Sequence, residues 1–476
     1  MLHERKNLFW IINLLTLAAL ACSLPFQTSV RRAAPTTEPG GRIFQPGNRG
    51  DDPIVLAGSE LPMFLGADPG KIVAFRFHNG WQQIAVQVDQ RKMMDLAVIR
   101  ADPPRGFKAL VYADPNTLTG ADDDPTFDAN DELVFMAADA GEPAPPDAAP
   151  PAGVIASPSA QVFIRDPITK LAGILYLFVS QGKLSPGAGV ENVTYRFHLI
   201  SGKYPGSYHF QEGANPEDSA ISTPNYRIHF SDRWVMDGLA PLAGGAPGVN
   251  ILDRKKYLFA PGECGRSEDT FDAGGGGFIA NLAGPVRAIR SYLGANSGYL
   301  TEQDDIFYAR RMDLTASLRV HPIPGVLDIM DYSAAALGMR YFNDQAQMGA
   351  LIDGKPEDLP GHALRWEMVT GNPGTVSWVY KVQTNIPSLA ISSFYSDMET
   401  PDWKQCTGDA HAYGVSGLWI VQSLPNTDPL RSHERVDELR ITRVGYFDPP
   451  NQPVQLAVQR AQSANTPFQV SVQVRP

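Results

Sequence analysis

The sequence is poor in charged residues and in cysteine, and both shortages limit what the protein can be. Charged residues make up 19% of the chain, and the 51 acidic residues outnumber the 40 basic ones, which gives a net charge of −11. Because such a chain repels phosphate groups, we expect neither nucleic acid nor an anionic membrane surface as a partner. The 3 cysteines have no CxxC spacing and are too few for a structural zinc site.

Several motifs that identify enzyme classes are also missing. The glycine run 274–277 is not followed by Gly-Lys-Ser or Gly-Lys-Thr, and no GxGxxG occurs, so the sequence has no common phosphate-binding loop. No Gly-x-Ser-x-Gly elbow supports an α/β-hydrolase. His433 and Glu434 begin like a zinc-protease helix, but Asp437 stands where the second histidine would be.

Glycine and proline, in contrast, are abundant, with 43 and 40 residues. After residue 52, short strand-like runs alternate with these turn residues, and few windows keep a helical period. The pattern predicts a mostly β protein with two antiparallel β-sandwich-type domains. We expect an N-terminal β domain over residues 53–185 and a larger C-terminal β-sandwich domain over residues 186–476.

The first 22 residues have the features of an export signal. Arg5 and Lys6 supply a positive start, residues 8–20 form a short apolar run, and small residues precede Cys22. This segment resembles the bacterial lipoprotein signal, in which the cysteine after the cleavage site is lipidated and becomes the new N-terminus. The resemblance implies a protein of the cell envelope anchored in the lipid bilayer through Cys22. Secretion in soluble form is the alternative, because an ordinary signal peptidase can also cut the Ala-x-Ala site.

Residues 23–52 contain few large apolar side chains and several prolines and glycines, which is typical of a flexible tether. Two cysteines remain beyond it, Cys264 and Cys406. In an exported chain such a pair favours a disulfide bond. The alternative is two unpaired thiols.

An arginine-rich central stretch is the best place to look for a site. Residues 307–321 alternate between polar and mostly apolar side chains with period two, the pattern of a half-buried strand. Arg311, Arg319 and His321 would share its polar face. The apolar face would be formed by Met312, Leu314, Leu318 and Val320.

The preceding arginine pair follows a different pattern. Arg287 and Arg290 are three residues apart, so a regular strand directs them to opposite faces. At most one of them can therefore join a cleft on one face.

Three functions fit an exported β protein of this kind. The first is a surface lipoprotein that binds a glycan or another polar ligand. The second is a carbohydrate-active enzyme, a lyase, epimerase or hydrolase, in which His321 is the base and Arg319 or Arg311 stabilises anionic charge. Asp328 or Asp331 would supply its second carboxylate. The third is a structural protein of the envelope without a small ligand.

The acidic loop 122–132 is the best candidate for a cation site. Calcium prefers several oxygen ligands, and clustered Asp and Asn residues on a turn supply them. The candidate ligands are Asp124, Asp128, Asn130 and Asp131. The alternate-position order of an EF-hand loop is missing, and Asp and Asn also favour turns that hold no metal, so a plain turn is the alternative.

Overall fold

The computed structural model describes residues 43–100, 102–189, 192–200, 215–271, 275–295, 298–319, 323–424 and 438–475. The predicted signal segment with Cys22, most of the predicted tether, and His321 lie outside the described residues. Within these ranges no helix is long and apolar enough to cross a membrane.

The fold is mostly β and its sheets are antiparallel, which confirms the predicted fold class. The N-terminal part contains β1 (Pro53–Ala57), β2 (Ile72–Phe77), β3 (Trp81–Ile84), β4 (Gln87–Asp89), β5 (Arg91–Asp95), α1 (Leu96–Ile99), β6 (Lys108–Tyr112), β7 (Glu132–Met136), β8 (Val154–Arg165) and β9 (Ala172–Ser180).

The larger C-terminal part follows from residue 192. Its elements up to residue 332 are β10 (Thr194–Arg196), β11 (Ser219–Ser222), β12 (Tyr226–Asp232), β13 (Val235–Pro241), β14 (Leu252–Leu258), α2 (Glu268–Phe271), β15 (Gly277–Ala283), β16 (Ala288–Leu293), β17 (Thr301–Phe307), β18 (Arg311–Arg319) and β19 (Val326–Tyr332). The remaining elements are β20 (Arg340–Asn343), β21 (Ala350–Leu351), β22 (Trp366–Gly371), β23 (Gly374–Thr384), β24 (Ile391–Met398), β25 (Ala412–Ile420), β26 (Glu438–Asp448), α3 (Gln455–Asn465) and β27 (Gln469–Val474).

The N-terminal sandwich packs the sheet β27-β8-β9-β2-β3 against the sheet β1-β7-β4. Apolar residues from both sheets, such as Ile54, Phe135 and Leu177, form one buried core. Burying each of these side chains stabilises the fold by roughly 1.5–3 kcal/mol, so this core decides which face of each strand points inward.

The C-terminal strand β27 corrects the predicted domain boundary. It pairs antiparallel with β8, with Val470 opposite Ile164, and Val470 and Val472 pack on the N-terminal core. Residues 53–185 therefore do not complete the first sandwich by themselves. Pairing over about 300 residues of sequence has no local signal, which is why the strand pattern alone did not assign β27 to this sheet.

The C-terminal sandwich is built on a large sheet with the strand order β15-β16-β17-β18-β26-β23-β22-β20-β21. Its inner face packs against two smaller sheets, β10-β11-β12-β13 and β14-β19-β25-β24, around a continuous apolar core. Part of its outer face is covered by α3, whose Ala457 packs against Tyr446 of β26. The N-terminal sandwich covers another part, since Met136 packs there with Tyr308.

Strand β18 has the predicted alternation. Met312, Leu314 and Leu318 are buried on the inner face, whereas Arg311 and Arg319 are half-buried on the outer face. Val320 lies outside the described residues. A slip of one residue would expose the apolar set and bury the charges, so core packing fixes the register of this strand.

The predicted disulfide between Cys264 and Cys406 is present, with the two Cα atoms 5.0 Å apart. It joins the segment after β14 to the loop between β24 and β25, two parts of the chain separated by 142 residues. The bond therefore ties together the two sides of one of the smaller sheets.

Candidate functional site

Of the predicted catalytic residues, Arg311, Arg319, Asp328 and Asp331 are described by the structure, and it does not bring these four into one cleft. Arg319 lies on the outer face of the large sheet, where its Nη2 is 2.8 Å from Glu302 Oε2. Arg311 lies on the same face but binds Asp52, with Nη1 2.9 Å from Oδ1, where the N-terminal sandwich covers the sheet. Arg311 therefore belongs to the contact between the two sandwiches.

The two predicted carboxylates lie on the other side of the large sheet. Asp328 and Asp331 belong to β19, a strand that is buried throughout. Asp328 Oδ1 is 3.1 Å from Lys255 Nζ, and Asp331 pairs with Lys256. Asp328 faces the interior between the sheets, whereas Asp331 lies on the opposite face of β19, the face of Ile329 and Trp403. Neither carboxylate therefore shares a cleft with Arg319. The predicted grouping of these residues is wrong.

Arg287, directly before β16, and Arg290, within it, point to opposite faces of the sheet, as their spacing predicts. Arg287 extends outward to the N-terminal sandwich, where its Nε donates to Asp89 Oδ2 at 2.8 Å. Arg290 extends inward, and its Nη1 donates to Glu217 Oε2 at 3.0 Å. Both arginines are buried and ion-paired, so they stabilise the packing of the sheets.

The acidic loop 122–132 is held by main-chain N–H groups of the loop itself and of Arg91. Both carboxylate oxygens of the buried Asp131 accept main-chain N–H groups at 3.0 Å. Asp128 accepts the N–H of Asn130 at 2.8 Å, and Asp124 accepts an N–H two residues further on at 3.0 Å. Across the described ranges, no group of three or more His, Cys, Asp or Glu side chains is arranged to hold a metal ion. Calcium binding by this loop stays a prediction.

A cavity of about 280 Å³ lies where the two sandwiches meet, and we call it the interdomain cleft. The segment before β1, the ends of β3 and β7, and the turns before β12 and β18 all contribute to its wall. Its polar lining consists of Asp51, Arg76, Gln83, Asp139, Asn192, Asn225 and Arg310.

Charge of both signs is fixed in the interdomain cleft. Arg310 Nε is 3.5 Å from Asp51 Oδ1, and Arg460 Nη1 is 3.0 Å from Asp51 Oδ2. Burial raises the pKa of Asp51, and the two arginines oppose that shift. Asn225 is held by the bond from its Nδ2 to the carbonyl of Ala309 at 2.8 Å. The cleft thus offers a carboxylate, guanidinium groups and amides in a preformed arrangement.

Apolar side chains complete the interdomain cleft. Ile84, Ala85 and Met136 line it beside the polar groups. A concave site of mixed character at a domain boundary is the usual form of a small-molecule site, and ~300 Å³ is the lower end of the usual size range. The arrangement suits a small ligand that has both hydroxyl groups and an apolar face.

A second polar group lies on the outer face of the large sheet and was missed by the sequence reasoning. Glu302 and Asp304 are two residues apart on β17, so they share this face with Arg319. The Ser291 hydroxyl donates to Asp304 Oδ1 at 2.5 Å, and the Arg319 guanidinium stacks 5.3 Å from the centre of the Phe107 ring. We call Glu302 and Asp304 the outer-face carboxylates.

The outer-face carboxylates have different electrostatic surroundings. Burial, and then the charge of Glu302, raise the pKa of Asp304 to about 7. Glu302 instead faces the guanidinium of Arg319. A carboxyl that keeps its proton near neutral pH beside an ion-paired carboxylate is an arrangement that can supply an acid and a base. The spacing of two in the sequence TEQDDIF could have indicated the pair, but polar residues occupy both faces of this strand.

The substitution Asp304→Asn should make the stability of the protein less dependent on pH. The pKa is raised from 3.8 to about 7 in the folded state, so the folded protein binds this proton more tightly than the unfolded chain. The contribution of the protonated Asp304 carboxyl to the free energy of unfolding is full below about pH 4 and is lost as the pH rises through about 7. Urea unfolding of wild type and Asp304→Asn across this window should show a smaller loss of stability in the variant.

Asp353→Asn is the matched control, because the half-buried Asp353 pairs with the exposed Lys355 and its pKa is lowered. Its pH profile from about pH 4 to 7 should follow wild type. Identical profiles for Asp304→Asn and wild type would contradict the raised pKa. Since Glu302 contributes to the shift, the measured midpoint describes the pair of carboxylates.

Comparison with known proteins does not assign the chain to a family. No family model matches it, and no curated protein matches it in sequence. Among solved structures, an alpha-mannosidase from Enterococcus faecalis V583 is similar over 91% of this chain and 45% of its own, with 7% identity and a TM-score of 0.40. A putative aldose 1-epimerase from Escherichia coli K12 is similar over 53% of this chain and 100% of its own, with 12% identity and a TM-score of 0.21.

The chain thus spans less than half the length of the mannosidase. Both TM-scores are too low to support a conclusion about activity. The class of the protein is therefore stated from its fold and cleft alone: it is a β protein with two sandwiches and a polar cleft between them.

Proposed function

We propose that the protein is an exported, lipid-anchored protein of the cell envelope that binds a small polar ligand, such as a sugar unit of a glycan, in the interdomain cleft. The observation that carries the proposal is the fixed arrangement of Asp51, Arg310 and Asn225 around a cavity of about 280 Å³. The resemblance of residues 1–22 to a lipoprotein signal supports the location.

The chemistry of a sugar unit matches this lining. Its hydroxyl groups both donate and accept hydrogen bonds, so they can bind a carboxylate on one side and guanidinium or amide groups on the other. Its C–H face can pack on Ile84 and Met136, which line the same cavity. Since the cleft is small, one sugar ring would fill it and a longer glycan would extend into solvent.

Binding should be tested on a glycan array with the chain from residue 23 onward, which keeps residues 43–52 that belong to the folded body. Arg310→Gln should weaken binding about 10–100-fold, because a hydrogen bond to a charged group contributes about 1.5–3 kcal/mol. Lys355→Gln is the control, since its side chain is 77% exposed and lies outside the cleft lining. Equal binding by wild type and Arg310→Gln, or no binding to any glycan, would contradict the proposal.

Lipid anchoring has its own test. Cys22→Ala should remove the attachment point, so the processed protein should move from the membrane fraction to the soluble fraction. Incorporation of labelled palmitate into wild type, and none into the variant, would identify the modification. A processed variant that still sediments with membranes would contradict anchoring through Cys22.

A carbohydrate-active enzyme is the second candidate function. One observation favours it, the pKa of about 7 of Asp304 beside Glu302 and Arg319. In this case Asp304 would donate a proton to a leaving oxygen and Glu302 would act as base or nucleophile. Conversion of array glycans by wild type, lost in Glu302→Gln, would favour this function over simple binding. A structural envelope protein would show neither binding nor turnover.

A further inference from the structure

Three side chains from separate elements meet at the edge strand β24. Ser393 lies on β24, His362 lies in the loop that precedes β22, and Asp344 follows β20. Ser393 Oγ is 3.2 Å from His362 Nδ1, and His362 Nε2 is 2.8 Å from Asp344 Oδ1. The set is thus a hydroxyl, an imidazole and a carboxylate connected in series.

The carboxylate decides which ring nitrogen carries the proton. Asp344 is buried and its second oxygen accepts from Arg365 Nε at 2.7 Å, so Oδ1 remains as the acceptor for the imidazole. His362 must therefore donate through Nε2–H. In the neutral ring Nδ1 then has a free lone pair, and the Ser393 hydroxyl is the group that can donate to it.

The surroundings also suit the protonated ring. The carbonyl oxygen of Pro360 lies 3.2 Å from His362 Nδ1. It can accept the Nδ1–H that forms when His362 takes a proton, while Asp344 stabilises the positive charge. These are the features of a base that accepts a proton from a serine nucleophile and later returns it.

A purely structural role would not need this arrangement. The loop is already joined to β24 by main-chain groups, because the N–H of Ser393 donates to the carbonyl of His362 at 2.6 Å. The N–H of His362 donates to Ser393 Oγ at 3.2 Å. A buried carboxylate directed at the imidazole adds a desolvation cost that simple loop attachment does not require.

We propose that Ser393, His362 and Asp344 form a nucleophilic site that hydrolyses small carboxylic esters. Ser393 Oγ bonds to the ester carbonyl carbon while its proton moves to His362 Nδ1. The carbon–oxygen bond to the alcohol breaks, and the alcohol leaves with the proton from His362. Water then gives a proton to His362 and its oxygen bonds to the acyl carbon, after which the bond to Oγ breaks and Ser393 regains the proton.

The site is largely buried: Ser393 has 9% of its surface exposed, and the His362 side chain has 16%. A test of its reactivity therefore needs small reagents. None of its members lines the interdomain cleft. The inference is therefore independent of the proposed binding function.

The test uses the full chain with a small alkyl fluorophosphonate, a reagent that phosphonylates activated serines. Intact mass and peptide mapping should show one modification, at Ser393. Ser393→Ala should remain unmodified. His362→Gln and Asp344→Asn should react at least about 100-fold more slowly than wild type, the usual contribution of a general base. Ser392→Ala is the matched control on the neighbouring residue and should react at the wild-type rate.

A second readout is hydrolysis of p-nitrophenyl acetate, which should be lost in Ser393→Ala and kept in Ser392→Ala. Wild type that stays unmodified at Ser393 overturns the proposal whatever the variants do. Modification at an unchanged rate in folded Asp344→Asn or His362→Gln also overturns it, because Ser393 would then react without its base. Circular dichroism of each variant confirms that it is folded.

Discussion

Asp328→Asn is expected to destabilise the protein by about 3–5 kcal/mol, the usual cost of removing one partner of a buried ion pair. Asp328 Oδ1 lies 3.1 Å from Lys255 Nζ and 3.3 Å from Arg443 Nη2, and all three side chains are buried between the sheets of the C-terminal sandwich. The amide would remove the carboxylate that pairs with both buried cations. Arg443 cannot lose its proton to relieve the cost.

Guanidinium chloride unfolding near neutral pH measures this effect. Asp353→Asn is the control, because Asp353 also pairs with a lysine, with Lys355 Nζ at 2.7 Å from Oδ2, but on the surface. It should change stability by no more than about 1 kcal/mol. If both variants unfold at the same denaturant concentration, the ion cluster around Asp328 does not stabilise the sandwich.

Loss of the disulfide should have an effect of similar size. The bond between Cys264 and Cys406 closes a loop with a sequence separation of 142, and the chain-entropy argument gives about 5 kcal/mol for a loop of this length. The variant with both cysteines replaced by serine should unfold at a lower denaturant concentration. Wild type treated with a reductant should behave like the variant, and the variant itself should not respond to the reductant.

Equal stability of oxidised wild type and the double serine variant would contradict the prediction. Replacing both cysteines avoids a free thiol that could form bonds between molecules. The comparison with reduced wild type separates loss of the bond from the effect of the serine side chains.

The features that sequence reasoning found depend on local patterns. The period of two in β18 places Leu314 and Leu318 inside and Arg311 and Arg319 outside, because successive side chains of a strand point to opposite faces. The disulfide was predicted from the cysteine count and the predicted export signal alone. Both inferences needed no knowledge of which strands are neighbours.

The features that sequence reasoning missed depend on contacts between distant segments. In the sequence nothing shows that Asp328 and Asp331 already have partners. In the fold, β19 lies between β14 and β25, and lysines of β14 pair with both carboxylates. The interdomain cleft combines residues from both sandwiches, such as Arg76 and Arg310. No spacing rule relates such positions, so the candidate site could not be assembled before the fold was known.

The position of β27 has a consequence for biosynthesis. Domains usually fold in the order in which the ribosome releases them. Here the N-terminal sandwich lacks its edge strand until residues 469–474 have been made, and the guanidinium of Arg49 donates to the carbonyls of Ser463 and Thr466 just before that strand. Of the two sandwiches, the one that is translated first is therefore completed last. Removal of residues 469–474 would leave the N-terminal sandwich without an edge strand, although these residues follow the whole C-terminal sandwich.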